Sequence, residues 1–386
     1  MKTHGWSHRW AAAICRVGEI IVSMLTVAGL ACTPAAAPVR DATPSQTPAW
    51  ERVIADAKRE GELLILGPPG ADAREALVQG FQGRYPEISV DYTGGSGALH
   101  VPKLLQERAA GQFRADLYIS GTSTIVADLV PAGAIDPIRP FLVGPELQDP
   151  SKWTDGRFEF ADNAEVSNLV FASNVKSPFA YDPRQVSAAD FRSWWDLTDP
   201  KWRGRMAMRD PRIAGPGQAT ATHLFTTPGL GPAYLEALLA NGVVLSNDDR
   251  QILDWVARGQ YPIAIAHSDL LATELKERGV PIEQLSADAL REGSYLTPGF
   301  ASVAAVNQAP HPNAAKLYLN WMLSQEGQTD WTKASGYTSR RLDAPRDHLP
   351  EFVIPKPGVE LQLNYKEQYI MVRDELEGFL RATIRS

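Results

Sequence analysis

Leu63-Leu64-Ile65-Leu66-Gly67-Pro68-Pro69-Gly70 is a short apolar run shut off by a glycine–proline break. Four consecutive aliphatic residues read as a buried strand, and the break that follows reads as a tight loop. The next stretch, Ala71–Tyr85, places Leu77, Val78 and Phe81 on one side at helical spacing. The same unit then recurs twice. Ser89–Tyr92 ends in Gly94-Gly95-Ser96-Gly97 and leads into an amphipathic helix through Leu99, Leu104, Leu105 and Ala109. Asp116–Ile119 ends in Ser120-Gly121-Thr122 and leads into a helix through Ile125 and Leu129. Three strand–loop–helix units in succession predict an α/β fold with a mainly parallel sheet flanked by helices.

Further along, the pattern loosens and then resumes. Residues 136–165 are proline-bearing loop, and Leu169-Val170-Phe171-Ala172 is a strand. Met206–Met208 and Pro262–Ala266 read as strands of a second set, with helices over 217–226, 231–241, 248–258 and 270–278. A strand at Phe300–Val306 and a helix at 313–323 return to the first set. The predicted organisation is therefore a first lobe of residues 49–165 plus 301–335 and a second lobe of residues 170–300, joined by a hinge. Residues 336–386 form a C-terminal extension with a closing helix over 366–382.

Composition bounds the function. The chain has 386 residues, 44% hydrophobic and 22% charged, which is globular and excludes disordered, collagenous and coiled-coil classes. A net charge of −7 with no Lys/Arg run argues against a nucleic-acid partner. The two cysteines, Cys15 and Cys32, lie near the N-terminus, so nothing after Cys32 forms a disulfide, a thiolate metal site or a cysteine nucleophile. The sequence has no GxSxG elbow, HExxH or Walker loop, and its seven histidines show no metal-ligand spacing. No enzyme signature, metal site or cofactor is predicted.

In open α/β sheets, ligands sit beyond the carboxyl ends of the strands, where helix starts aim free N–H groups and the positive end of a dipole. Candidate ligand-binding residues follow: Gly67, Pro68, Gly95, Ser96, Ser120, Gly121 and Thr122 from the first lobe, and Arg209, Asp210, Gln218, His267, Ser268 and Asp269 from the second. Two lobes with facing loops describe a clamshell closing on a small molecule. Each candidate also has a purely structural reading. Gly94–Gly97 serves as a tight turn, Ser120-Gly121-Thr122 as a helix cap, Arg209 and Asp210 as a mutual ion pair, His267 as a hydrogen-bonded core histidine, and Trp194-Trp195 as packing.

The N-terminus reads as an address. Lys2, Arg9 and Arg16 precede an apolar run from Ile20 to Ala31, which fits an export signal over residues 1–31. Gly29-Leu30-Ala31-Cys32 is close to the lipobox of bacterial lipoproteins, although Gly29 departs from the large aliphatic residue usual there. Lipidation of Cys32 would anchor the chain to the cell envelope without spanning a membrane. Residues 32–48 then form a Pro/Ala/Thr/Ser-rich tether. Removing residues 1–31 leaves a net charge of −9.

Ser193-Trp194-Trp195-Asp196-Leu197-Thr198-Asp199-Pro200-Lys201-Trp202-Arg203-Gly204-Arg205 resembles a W-x-D-L-x-D-P-x-W-[KR]-G-[KR] segment of bacterial extracellular solute-binding proteins of ABC importers. Glu107-Arg108-Ala109-Ala110-Gly111 with Ala115-Asp116-Leu117, and Pro312-Asn313-Ala314-Ala315 with Trp321-Met322-Leu323-Ser324, are similar to two other segments of that family. The resemblance spans roughly residues 48–335 and points to the branch of ferric-iron, phosphonate and polyamine binders. It implies a two-lobed (type II) clamshell, a monomer without enzymatic activity, a small solute and an ABC permease as partners, and an exported location. The solute it favours is anionic or zwitterionic, with ferric iron or a polyamine as alternatives. An exported two-lobed enzyme and a tethered sensor remain as readings of other classes. The ferric binders' adjacent tyrosines are missing: the matching stretch reads Ala264-Ile265-Ala266-His267-Ser268-Asp269-Leu270. That counts against ferric iron held by paired phenolates.

Overall fold

The alternation of apolar runs and glycine-rich breaks is realised as two sheets with helices on both faces. The computed structural model describes residues 48–356 and 358–384. The export segment, Cys32 and the tether to residue 47 lie outside the described residues. In chain order the first elements are α1 (Pro48–Glu60), β1 (Glu62–Gly67), α2 (Ala71–Arg84), β2 (Ser89–Gly94), α3 (Gly97–Ala109), β3 (Leu117–Ser120), a single turn α4 (Thr122–Thr124) and β4 (Ile135–Asp136). The turn of α4 runs on as a wider π-turn over Ile125–Leu129. The short strands β5 (Glu159–Phe160), β6 (Leu169–Val170), β7 (Asn174–Val175) and β8 (Phe179–Tyr181) follow. The second set comprises β9 (Met206–Arg209), α5 (Pro216–Thr226), α6 (Gly231–Ala240), β10 (Val244–Ser246), α7 (Asp249–Ala257), β11 (Ile263–Ile265), α8 (Asp269–Glu277) and β12 (Glu283–Gln284). The chain closes with β13 (Tyr295–Thr297), β14 (Ser302–Val306), α9 (Pro312–Met322), α10 (Gln325–Ser335), β15 (Gln362–Leu363), α11 (Glu367–Ile370) and α12 (Arg373–Thr383).

The first sheet has the order β2-β1-β3-β14-β6-β5, with β4 on β14. Strands β1, β2 and β3 are parallel, while β14 runs against β3 and β6. The reversal follows from the connection: β14 arrives from the other lobe, so its first residue, Ser302, meets the last residue of β3, Ser120. One face of the sheet is covered by Trp50, Leu77, Phe81, Tyr318, Trp321 and Trp331, and the other by Val101, Leu104, Ile125 and Leu129.

The second sheet has the order β10-β9-β11-β8-β12, with β10, β9 and β11 parallel and β8 antiparallel to β11. Its two faces carry separate clusters, one around Phe179, Trp194, Trp202, Tyr234 and Leu238, the other around Ile252, Val256 and Ala272. Trp194 and Trp202 are buried there, so the tryptophan-rich motif serves packing. Its turns are fixed by Ser193 and Asp196, which form a capping box, by Asp199, which caps the next turn, and by Gly204 at φ +68°, a conformation glycine adopts readily.

Between the two sheets lies a third, with β13 antiparallel to β7 and parallel to β15. Its strands join the lobes and form the hinge. Beyond it, Leu376 and Leu380 of α12 are fully buried in the second lobe's core, each worth about 1.5–3 kcal/mol of apolar burial. The closing helix expected over 366–382 is broken into α11 and α12.

Candidate functional site

Parallel pairing brings the carboxyl ends of β1, β2 and β3 together, with Gly67 opposite Gly94. The side chain of Tyr92 lies so close to Gly67 that a Cβ there would meet its ring. Tyr92 Oη donates to the Pro68 carbonyl at 2.7 Å, and Gly95 N donates to the Gly67 carbonyl at 2.9 Å. His100 Nε2 lies 3.1 Å from that same carbonyl. Gly67 and Pro68 therefore shape the loop edge. Ser96 is exposed at the N-cap of α3, and its hydroxyl caps nothing. Gly97 packs directly on Thr124, which sets the starts of α3 and α4 side by side. Ser120 is buried with its carbonyl accepting from Ser302 Oγ at 2.7 Å, and Thr122 is buried in the first turn of α4. Gly121 lies against the carbonyl of Gly299, next to the hinge. In the first turn of α3, Leu99 N and His100 N donate to the Ser96 carbonyl at 3.0 Å, and the N–H groups of Gly97 and Ala98 have no acceptor within the helix.

On the second lobe, β9, β10 and β11 end at one edge, with Ser246 opposite Arg209 and Ile265 opposite Met208. Strand β8 runs the other way, so the segment leading into it brings Lys176 to the same edge. Lys176 Nζ donates to the His267 carbonyl at 2.5 Å and to Asp269 Oδ1 at 2.7 Å. His267 Nε2 lies 3.1 Å from both Asp269 Oδ1 and Gln284 Oε1. The backbone turns into this cluster through Ala266 at φ 58°, left-handed for a residue with a Cβ. Ser268 Oγ caps α8 by accepting from Leu271 N. Next to this group, Arg209 Nη1 donates to Asp249 Oδ2 at 3.1 Å.

The two ion pairs form one charged field. Burial pushes the Asp269 carboxyl up, but the adjacent Lys176 and His267 outweigh it and hold it below the ordinary value. Burial raises Asp249 on balance, against the pull of Arg209, Lys176 and His267. Asp249 Oδ1 and His267 Nδ1 are both buried without a hydrogen-bond partner. Tyr337 closes the floor beside Gly299, its phenol pushed up to about 12 by burial and by Asp269. Leu270 at the start of α8 touches Gly336, which brings the second lobe against the loop after α10. A short path of contacts therefore runs from Gly121 through Gly299 and Tyr337 toward Asp269. Leu99, Ile213, Leu270 and Phe300, exposed apolar side chains, stand on these same loops.

Not every candidate joins the field. Asp210 pairs with Arg212 at 2.7 Å, so Arg209 and Asp210 do not pair with each other. Gln218 lies 3.4 Å from Glu377 of α12. Lys176, Asp249 and Tyr337 belong to the cluster without having been singled out in the sequence. Lys176 lies 93 residues from Asp269, and no local spacing signals that pairing.

Among the described residues, no group of three or more His, Cys, Asp or Glu side chains is placed to hold a metal ion. Two surface depressions, one beside Tyr181, Arg184 and Asp190 and one beside Asp162, Lys366 and Tyr369, lie away from this edge. The hydroxyls next to the His267–Asp269 pair are engaged: Ser268 caps α8, and Thr273 Oγ1 donates to the Asp269 carbonyl at 2.9 Å. No helix among the described residues is long and apolar enough to cross a membrane.

Residues 63–338 match the family model described as bacterial extracellular solute-binding protein. A Salmonella typhimurium protein named "Putative 2-aminoethylphosphonate-binding periplasmic protein" is 30% identical over 234 residues, 56% of this chain and 68% of that protein. Iron-bound HitA from Pseudomonas aeruginosa superposes with a TM-score of 0.62 at 19% identity, covering 83% of this chain and 99% of its own. AfuA from Actinobacillus pleuropneumoniae, solved with fructose-6-phosphate, gives 0.60 at 22% identity, covering 84% and 98%. Both likenesses establish the two-lobed fold.

Proposed function

The chain belongs to the bacterial extracellular solute-binding protein family, and we propose that the solute it captures is a small organophosphonate carrying an amine. As a member of that family it binds a small solute for an ABC permease and acts outside the cytoplasm. The solute class rests on one observation: Arg209–Asp249 and Lys176–Asp269 stand side by side at the ligand edge of the second lobe. Two cations can donate to phosphonate oxygens, and two carboxylates can accept from an ammonium. The start of α3 supplies N–H donors from the first lobe, where an anion is favoured. Exposed apolar side chains of Leu99, Ile213, Leu270 and Phe300 stand on the same loops and would be covered on closure. The likeness to the Salmonella protein supports the same class.

The protein is a binder and not an enzyme in this reading. It works as a single copy, exported by residues 1–31 and tethered by a lipid on Cys32. A ferric ion fits less well, because burial and Asp269 hold the phenols of Tyr295 and Tyr337 protonated. A polyamine would leave Arg209 and Lys176 facing like charge. Calorimetric titration with 2-aminoethylphosphonate, ethylphosphonate, putrescine and ferric citrate tests the proposal. The expected order places 2-aminoethylphosphonate first, and tighter binding of putrescine or ferric citrate overturns it. Replacing Cys32 with Ser should release the protein from the membrane fraction. Retention at the membrane would overturn the anchor.

A further inference from the structure

Beyond residue 338, where the family match ends, the chain does something that the solute reading does not require. It crosses the hinge a third time and touches both lobes. Strand β15 joins the hinge sheet, with Gln362 opposite Tyr295 and Leu363 opposite Leu296. From there the side chains divide between the lobes. Toward the second lobe, Gln362 bonds to His223 Nδ1 at 2.5 Å and to Thr226 Oγ1 at 2.8 Å, and Asn364 Nδ2 donates to the Ala219 carbonyl at 2.7 Å. Toward the first lobe, Lys366 Nζ donates to the Phe160 carbonyl at 2.7 Å and pairs with Glu159 at 2.5 Å. The backbone of Glu367 donates to the Ala161 carbonyl, and its side chain accepts from Asn163 N at 2.6 Å. Arg373 then reaches Asp128, on the π-turn of the first lobe, at 3.4 Å. Finally α12 sinks Leu376 and Leu380 into the second lobe's core and sets Phe379 against Phe225, ring centroids 5.6 Å apart.

The hold on the second lobe includes fully buried apolar side chains. The hold on the first lobe combines the Lys366 and Arg373 contacts with Tyr365 and Ile370, which are buried in one cluster with Val126, Ala161 and Val170. A rotation that separates β5 from α5 must either pull Leu376 and Leu380 from their core or free Tyr365, Lys366, Ile370 and Arg373 from the first lobe. We infer that residues 361–384 form an interlobe strap, held in the second lobe by Leu376 and Leu380 and latched to the first by Tyr365, Lys366, Ile370 and Arg373, that restrains lobe opening when no solute is bound. Such a latch sets the population of the arrangement seen here before a solute arrives.

The test is a distance measurement on the full chain without solute. Spin labels go on Gln79→Cys in α2 and Glu236→Cys in α6, both exposed positions on opposite lobes, with Cys15→Ser and Cys32→Ser removing the native thiols. Pulsed electron resonance should give a longer, broader distance for Lys366→Met/Ile370→Ala/Arg373→Met than for the parent, with the mean lengthened by about 5 Å or more. Exchanging the Arg373–Asp128 charges (Arg373→Asp with Asp128→Arg), with Lys366 intact, should restore the parent distribution that Arg373→Asp alone disturbs. That pair is part-exposed, so the exchange is readable even if Lys366→Met folds poorly. Superimposable distributions for parent and latch variants overturn the strap. Because no solute is added, that outcome leaves the phosphonate reading untouched, and a failed titration leaves the strap untouched.

Discussion

Lys176 holds the second lobe's charged field together, since its ammonium serves both the His267 carbonyl and Asp269. Lys176→Met keeps the length and removes the charge, leaving Asp269 buried with its main counter-ion gone. Breaking a buried pair from one side costs about 3 kcal/mol or more, so the urea midpoint should fall accordingly, and 2-aminoethylphosphonate affinity should fall at least tenfold. The pH dependence carries the same signature. In the parent, Asp269 titrates below its ordinary 3.8, so the stability it confers is fully present above about pH 4 and is lost as pH drops through the folded-state value. In Lys176→Met burial is opposed by His267 alone, so the folded-state value rises toward or past the unfolded one and the acid loss tied to Asp269 should shrink. An acid limb that coincides with the parent's would refute this account. His223 gives a separate test. It is buried, and burial holds its imidazole down to about 4 from 6.5. The unfolded chain therefore takes up a proton that the native one refuses, and stability should fall by about 3 kcal/mol between pH 6.5 and 4. His223→Gln should flatten that slope in urea titrations. His267, Ser268 and Asp269 were legible as residues just past a strand. Lys176 was not, because only the antiparallel course of β8 brings it there.

Strand–loop–helix alternation made most elements readable, since buried strands and one-sided helices leave periods of their own in the sequence. What it leaves unsaid is how the loops meet. Gly67 was read as a ligand contact, yet its immediate neighbour is the ring of Tyr92. A methyl group there would overlap the ring, and the residue is not in a left-handed conformation, so the conflict is purely steric. Gly67→Ala should cost about 1–3 kcal/mol, measured by thermal unfolding, and should displace the loop that Tyr92 ties to Pro68. Gly67→Ala with the parent's melting temperature would mean that the ring shifts freely. The stretches 136–165 and 336–356, with the short segment before α11, were the least legible. Their short turns and two-residue strands carry no periodicity and are fixed by distant partners, as Lys366 is by Glu159.

At the scale of the whole molecule, two lobes with separate cores meet through the hinge sheet and the C-terminal strap. Such a construction can unfold in one step or two, and the solute decides how the question is read. A ligand that touches only one lobe stabilises that lobe alone. A ligand held between the start of α3 on one side and Lys176, Asp269 and Arg209 on the other stabilises both, because closure makes each lobe part of the other's binding surface. At a hundredfold excess over Kd the gain is about 2.7 kcal/mol. Urea unfolding of the full chain can be followed in each lobe by fluorine-labelled tryptophans, with Trp321 and Trp331 reporting on the first lobe and Trp194 and Trp202 on the second. With 2-aminoethylphosphonate present, both sets of signals should move to higher urea together. Movement of the second-lobe signals alone would mean that the solute sits on the charged edge without engaging the opposite helix start, and capture between two lobes would have to be abandoned for this solute.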